Sequence, residues 1–168
     1  MDAPAELAQL CKRYLFNERL LAATTQGFSP EDWALPPGPH GGNCAHWLLA
    51  HVVATRRSLL RILGDESAVE DWEAAYAQGG VSTLHAATPA PSALHAEFAR
   101  QGLLLAQRLG SLSVDQAAAA FPRPLPDGGV RNCRFGRIEL GRYARSFRRR
   151  RDGQIIVVFW QVHHVIFS

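Results

Sequence analysis

Seven histidines are the concentrated source of acid–base or metal-ligating chemistry in this sequence, because imidazole alone titrates near neutral pH and binds metals through a neutral nitrogen. His51 is the one whose spacing is suggestive. It lies four residues from both Trp47 and Thr55 and eight from Leu59. On a helix that spacing turns the ring toward the inward face. By position alone, such a ring reads more readily as a core histidine satisfied by one hydrogen bond than as a ligand. His46 stands five residues earlier, about 140° around the same helix, so regular geometry does not let the two share an ion. It reads as a capping or loop-packing residue. His163 and His164 are adjacent and diverge by about 100° on a helix or about 180° on a strand, so at most one faces any given site. His40 falls in a Pro/Gly loop, and His85 and His95 fall in or beside a long connection; none of the three is expected to function. The sequence has no Cys-x-x-Cys pair, phosphate-binding glycine loop, nucleophile elbow or dinucleotide fingerprint, and its acids show no pairing suited to acid–base work.

The elements that must position these rings are helical. From Glu6 to about Thr25, Leu7, Leu10, Cys11, Tyr14 and Leu21 recur at helical steps while Lys12, Arg13 and Arg19 point elsewhere. Ser29-Pro30-Glu31-Asp32 reads as an N-cap, a first-turn proline and first-turn acids, opening a short helical turn at Trp33 that Pro36-Pro37-Gly38-Pro39 ends. Asn43 is placed to cap a second long helix carrying Trp47, Leu48, Val52, Leu59, Ile62 and Leu63, stopped by Gly64. Residues 65–90 read as a long connection with one short amphipathic piece at Asp71 to Tyr76. A third helix follows from Pro91 to Leu109 through Leu94, Phe98, Leu105 and Leu109. Then come Ser113-Val114-Asp115, an alanine run and the loop Pro122 to Gly129. The order of helix, Ser-x-acid turn and Pro/Gly loop thus occurs twice, at 6–42 and 91–129. Two related hairpins would start a fourth helix near Val130.

Charge divides the chain unevenly. Residues 1–122 carry a net charge of minus four and residues 123–168 plus seven, within an overall +3. Four arginines are consecutive, Arg148 to Arg151, ahead of the β-branched and aromatic run IIVVFWQVHHVIFS. Ile138, Leu140, Tyr143 and Phe147 could line a helix, but Gly136, Gly141 and Gly153 interrupt it. The arginine run lacks interleaved stacking residues and a reading motif, so nucleic acid is not an expected partner. At 168 residues, 47% apolar and 20% charged, the sequence has the balance of one globular domain, and no run approaches the ~20 apolar residues of a membrane helix. MDAPAELAQL lacks a signal-like basic start, and three cysteines (Cys11, Cys44, Cys133) leave one unpaired in any intramolecular scheme. A cytoplasmic location is expected.

The stretch Asn43-Cys44-Ala45-His46-Trp47-Leu48-Leu49-Ala50-His51-Val52, after a Ser-x-Glu-Asp-Trp turn and a Pro/Gly loop, resembles the DinB-like (DinB/YfiT) family over residues 5–129. The doubled hairpin agrees with it. The resemblance implies an all-α, antiparallel four-helix bundle in which His51 is one of three ligands to a divalent metal, zinc or nickel. The other two ligands of that family come from a His-x-x-x-His pair on the fourth helix, often followed by Gly-Gln. Aligning on Gly153-Gln154 puts Phe147 and Arg151 at those positions. His163 is twelve residues beyond Arg151, about 18 Å along a continuous helix, so His163 and His164 could complete the set only if the tail folds back. A frame shift near Val130 would account for both the missing pair and the change in charge.

The expectations are therefore a single domain over 1–168 with an atypical Arg-rich segment at 130–168, whose structure as the fourth element is left open. Leu10, Tyr14, Leu48, Val52, Leu59, Phe98 and Leu105 are expected in the core. The resemblance implies a metal-dependent enzyme that uses a low-molecular-weight thiol against a small electrophile, as transferase or isomerase, because a metal-bound thiol is deprotonated at neutral pH. A degenerate site is expected in this chain, and no catalytic residue is assigned. The competing reading is a non-catalytic homodimeric bundle, a scaffold or stress-related protein without membrane attachment.

Overall fold

The computed structural model describes residues 5–36, 42–76, 83–118, 120–124 and 130–134. Helix α1 spans Ala5–Thr24, α2 Pro30–Ala34, α3 Ala45–Ile62, α4 Pro91–Gly110 and α5 Val114–Ala118. A 3-10 turn, Glu73–Tyr76, lies between α3 and α4, and strands β1 (Ala120–Pro124) and β2 (Val130–Arg134) follow α5. The described chain is therefore mostly helical, as expected.

The local chemistry explains the short helices. At α2, the Ser29 amide donates to Asp32 Oδ2 (2.8 Å) and the Asp32 amide donates to Ser29 Oγ (3.3 Å), a reciprocal capping box with Pro30 in the first turn. The same device recurs at α5, where the Ser113 amide donates to Gln116 Oε1 (2.8 Å) and the Gln116 amide to Ser113 Oγ (3.1 Å). Each long helix α1 and α4 is thus followed by a serine-capped helix of five residues, which is the doubling seen in the sequence. Helix α3 starts one residue later than its expected cap: Cys44, not Asn43, is the N-cap, and its side chain makes no capping bond.

Helix α4 is the centre of the layer and packs on both α1 and α3. Cys11 donates to the Ala106 carbonyl (3.3 Å), and Thr25 meets His95 (3.1 Å), so the end of α1 lies beside the start of α4 and the two are antiparallel. Helix α3 differs from the expected antiparallel arrangement. His46 in its first turn reaches the Pro89 carbonyl just before α4 (2.8 Å), and Arg108 near the end of α4 reaches the Leu63 carbonyl at the end of α3 (3.0 Å). Start meets start and end meets end, so α3 and α4 run parallel. The long connection makes this possible by carrying the chain back along the layer before α4 begins.

The core has two parts. One gathers Leu21, Trp47, Leu49, Val53, Trp72, Tyr76, Leu94 and Phe98; the other gathers Leu7, Leu10, Tyr14, Leu59, Leu60, Leu105 and Leu109. Of the expected core residues, Leu10, Tyr14, Val52, Leu59, Phe98 and Leu105 are buried. Leu48 is only half-buried against the first cluster, and its neighbour Leu49 is fully enclosed instead.

Where the repeat would start a fourth helix, the chain forms a strand. β2 pairs antiparallel with β1 in the register Ala120↔Arg134 to Pro124↔Val130. Pro122 and Pro124 are tolerated in β1 because each strand of a two-stranded pair is an edge strand. A four-helix bundle is not what the described residues form.

Candidate functional site

His51 sits in the middle of α3, half-buried, with its ring stacked on Trp47 one turn earlier at 5.1 Å between centroids and 12° between planes. Its Nδ1 lies 2.6 Å from the Tyr76 carbonyl oxygen. A carbonyl can only accept, so Nδ1 carries the hydrogen, and in the neutral ring the basic lone pair belongs to Nε2. Burial pulls the His51 pKa below its ordinary value, against the opposing effect of the Tyr76 hydrogen bond, so the ring is neutral at pH 7. Metal-binding histidines are commonly oriented by donating their other ring N–H to a backbone carbonyl, and this bond has that form.

Tyr76 is held on three sides. Its ring packs against Trp47 (5.5 Å) and Trp72 (5.9 Å), and its hydroxyl meets Thr88 Oγ1 (2.6 Å) and accepts from the His85 amide (3.2 Å). The turn that ends in Tyr76 begins at Glu73, whose carboxylate is buried. Arg57 Nη1 donates to Glu73 Oε1 (2.7 Å), and Arg61 Nη2 pairs with Glu73 Oε2. Arg57 also pairs with Glu70 and, through Nε, with Glu97 of α4 (3.3 Å). Glu97 is in turn gripped by Arg100, and the two positive partners help hold its pKa below the ordinary carboxylate range despite burial. Two arginines one turn apart on α3 therefore dock the connection that carries the Tyr76 carbonyl.

The other described histidines are engaged elsewhere. His46 donates through Nε2 to the Pro89 carbonyl (2.8 Å), which is the loop-packing role its position suggests. The Thr25 hydroxyl donates to the Leu21 carbonyl (2.8 Å) and so accepts from His95 Nε2 (3.1 Å), while the edge of the His95 ring meets Trp33 (5.5 Å). Burial lowers the His95 pKa as well. His85 Nδ1 accepts from the Ala87 amide (3.2 Å) on the exposed connection. His40, His163 and His164 lie outside the described residues, as do Phe147 and Arg151. Among the described residues no group of three His, Cys, Asp or Glu side chains could hold a metal ion. A catalytic zinc site needs about three protein ligands, so His51 with its described neighbours does not fit a metal, and no reaction step follows from one imidazole.

Sequence reasoning placed His51 on the correct face but passed over Tyr76, Glu73, Arg57 and Arg61. A signal was available in the i, i+4 pair Arg57/Arg61 and the i, i+3 pair Glu70/Glu73, two short-range patterns of opposite charge separated by a connection.

One more polar group is enclosed. Arg56 is fully buried; its guanidinium carbon lies 3.5 Å from the Phe98 ring centroid and 5.0 Å from that of Tyr14, and Nη1 donates to the Phe98 carbonyl (3.0 Å). Among the described residues its Nε and Nη2 have no hydrogen-bond partner, and neither has Oε1 of the buried Gln101.

No family model, curated protein or solved structure matches the chain.

Proposed function

We propose that this chain is a DinB-like helical protein of the metal-dependent, thiol-using transferase or isomerase class, with His51 as its surviving metal position and the rest of the metal site degenerate. The observation that carries this reading is the 2.6 Å contact from Nδ1 to the Tyr76 carbonyl, the orienting bond that metal-binding histidines commonly make. The degeneracy rests on the sequence, where Phe147 and Arg151 occupy the positions of the expected histidine pair and His163 and His164 stand too far along a helix to replace it directly. No helix among the described residues is long and apolar enough to cross a membrane.

The test is metal content after dialysis against a weak chelator, followed by thiol-transfer assays on protein reloaded with zinc or nickel. A degenerate site gives a small, non-stoichiometric metal content that His51→Ala leaves unchanged. One metal per chain, lost on His51→Ala with the helical fold intact, refutes the degeneracy and establishes an intact centre.

A second reading is a non-catalytic homodimeric scaffold. His51 joins α3 to the docked connection through Trp47 and Tyr76, a role that needs no metal. Metal-independent dimerisation without thiol-dependent turnover supports it. A monomer in sedimentation equilibrium argues against it.

A further inference from the structure

Glu73, the deepest-lying carboxylate of the described connection, is one turn from the carbonyl that His51 meets. We infer that Glu73 is a positioning residue for His51, fixing which ring nitrogen carries the hydrogen. The inference rests on His51 being the functional position, as proposed above, but its test does not depend on metal.

Glu73 is clamped from α3 by Arg57 Nη1 (2.7 Å) and by Arg61, and it also accepts from the Glu70 amide (3.0 Å), so both of its oxygens are engaged. The 3-10 turn Glu73–Tyr76 is a single turn, leaving little freedom between a pinned Glu73 and the Tyr76 carbonyl. That carbonyl, 2.6 Å from Nδ1, is compatible only with an Nδ1–H ring. Arg57, Arg61 and His51 all belong to α3, so the connection is bolted to the same helix whose histidine it orients. If Glu73 releases the turn, the carbonyl moves and the contact that requires a hydrogen on Nδ1 is lost. The lone pair then transfers to Nδ1, on the opposite side of the ring, and the ligand direction is lost. A general packing role for Glu73 would alter stability without changing the ring's tautomer.

The tautomer is read directly by two-bond proton–nitrogen correlation of the imidazole on the full chain, metal-stripped and uniformly labelled with nitrogen-15, at about pH 8 where the ring is neutral. Wild-type His51 should show Nδ1 as the protonated nitrogen and Nε2 as the bare one. In Glu73→Gln, with backbone amide dispersion retained, the Nε2–H form should appear and the Nδ1–H signal should weaken. Arg61→Gln breaks one arm of the same clamp while leaving Glu73 charged and paired with Arg57, and it should shift the ring the same way to a smaller extent; it also serves if Glu73→Gln does not fold. Leu105→Val, in the other half of the core, should leave the tautomer unchanged.

A folded Glu73→Gln or Arg61→Gln protein whose His51 stays wholly Nδ1–H overturns the inference. So does a Leu105→Val protein that shifts as much as Glu73→Gln, because the effect would then be global. Metal analysis is a separate measurement: stoichiometric metal would sink the degeneracy proposal while leaving the tautomer result standing, and the reverse also holds.

Discussion

Replacing Arg56 with methionine should leave stability within about 1 kcal/mol of the wild type, or raise it, although the arginine is among the most enclosed side chains in the described chain. Desolvation lowers the Arg56 pKa well below its ordinary value, to about 10, a penalty of about 3 kcal/mol on the charged form at pH 7. Against that cost stand one charged hydrogen bond, Nη1 to the Phe98 carbonyl, worth about 1.5–3 kcal/mol, and contacts with two aromatic rings worth about 0.5–2 kcal/mol. The terms nearly cancel, and methionine keeps much of the volume while leaving no donor unsatisfied. Arg56→Ala should instead cost about 2–5 kcal/mol, because it opens a cavity where the guanidinium and its stem had been packed.

Urea unfolding at pH 7, with the slope of free energy against denaturant unchanged, measures both variants. A loss above about 3 kcal/mol for Arg56→Met would refute the reasoning. Nε and Nη2 would then have to be satisfied in solution by water or an anion. Alkaline pH gives a second reading. Between pH 10 and 12 the folded state holds fewer protons at Arg56 than the unfolded state does, so this group's contribution to stability rises with pH. Tyr14, pushed up to about 12 mainly by burial, holds more protons when folded and contributes the opposite slope. The two oppose each other in the wild type. In Arg56→Met only the tyrosine remains, so stability should fall more steeply from pH 10 toward pH 12.

Two other outcomes are expected. Leu105→Ala, at a fully enclosed position in the second core cluster, should cost about 2–5 kcal/mol in the same urea assay; a loss under about 1 kcal/mol would mean that α1 and α4 close over the gap or do not pack there. Acid should destabilise the protein already below about pH 6.5, because the lowered folded-state pKa values of His51 and His95 make the unfolded chain the better proton acceptor in that window. His51→Gln should flatten that part of the stability–pH curve, and an unchanged slope would show that His51 is accessible to water and ordinary in its titration.

What was legible in the sequence follows from the range of the forces involved. Helical stripes such as Leu10, Tyr14 and Leu21, and the capping pattern at Ser29, are set within one or two turns and emerged as expected. Helix direction is not local. A stripe reports which face is buried but not which way the next helix runs, so α3 and α4 could be recognised while their parallel arrangement could not. The segment 65–90 decided that arrangement, and it looked unimportant because its anchoring is distant: Glu73 acquires its role only when folding brings it to Arg57 and Arg61. At 120–134 two kinds of reasoning competed. The internal repeat called for a helix near Val130, whereas the β-branched Val130 and a pairing partner at Ala120–Pro124 favour extended backbone, and the antiparallel pair is what forms.

His51 shows the boundary most clearly. Its inward face could be read from Trp47 and Thr55, because their spacing repeats every turn. Its hydrogen-bond partner could not, because a backbone carbonyl is supplied by every residue type and leaves no trace in composition or spacing. The side chain of Tyr76 does leave one, since an aromatic residue in a connection must find a place to bury its ring. Once that ring lodges between Trp47 and Trp72, the carbonyl of the same residue is delivered to His51. The information that sets the imidazole's tautomer is thus written in the hydrophobic and charged residues that dock the connection, Tyr76 and Glu73, and not in the atom that makes the bond.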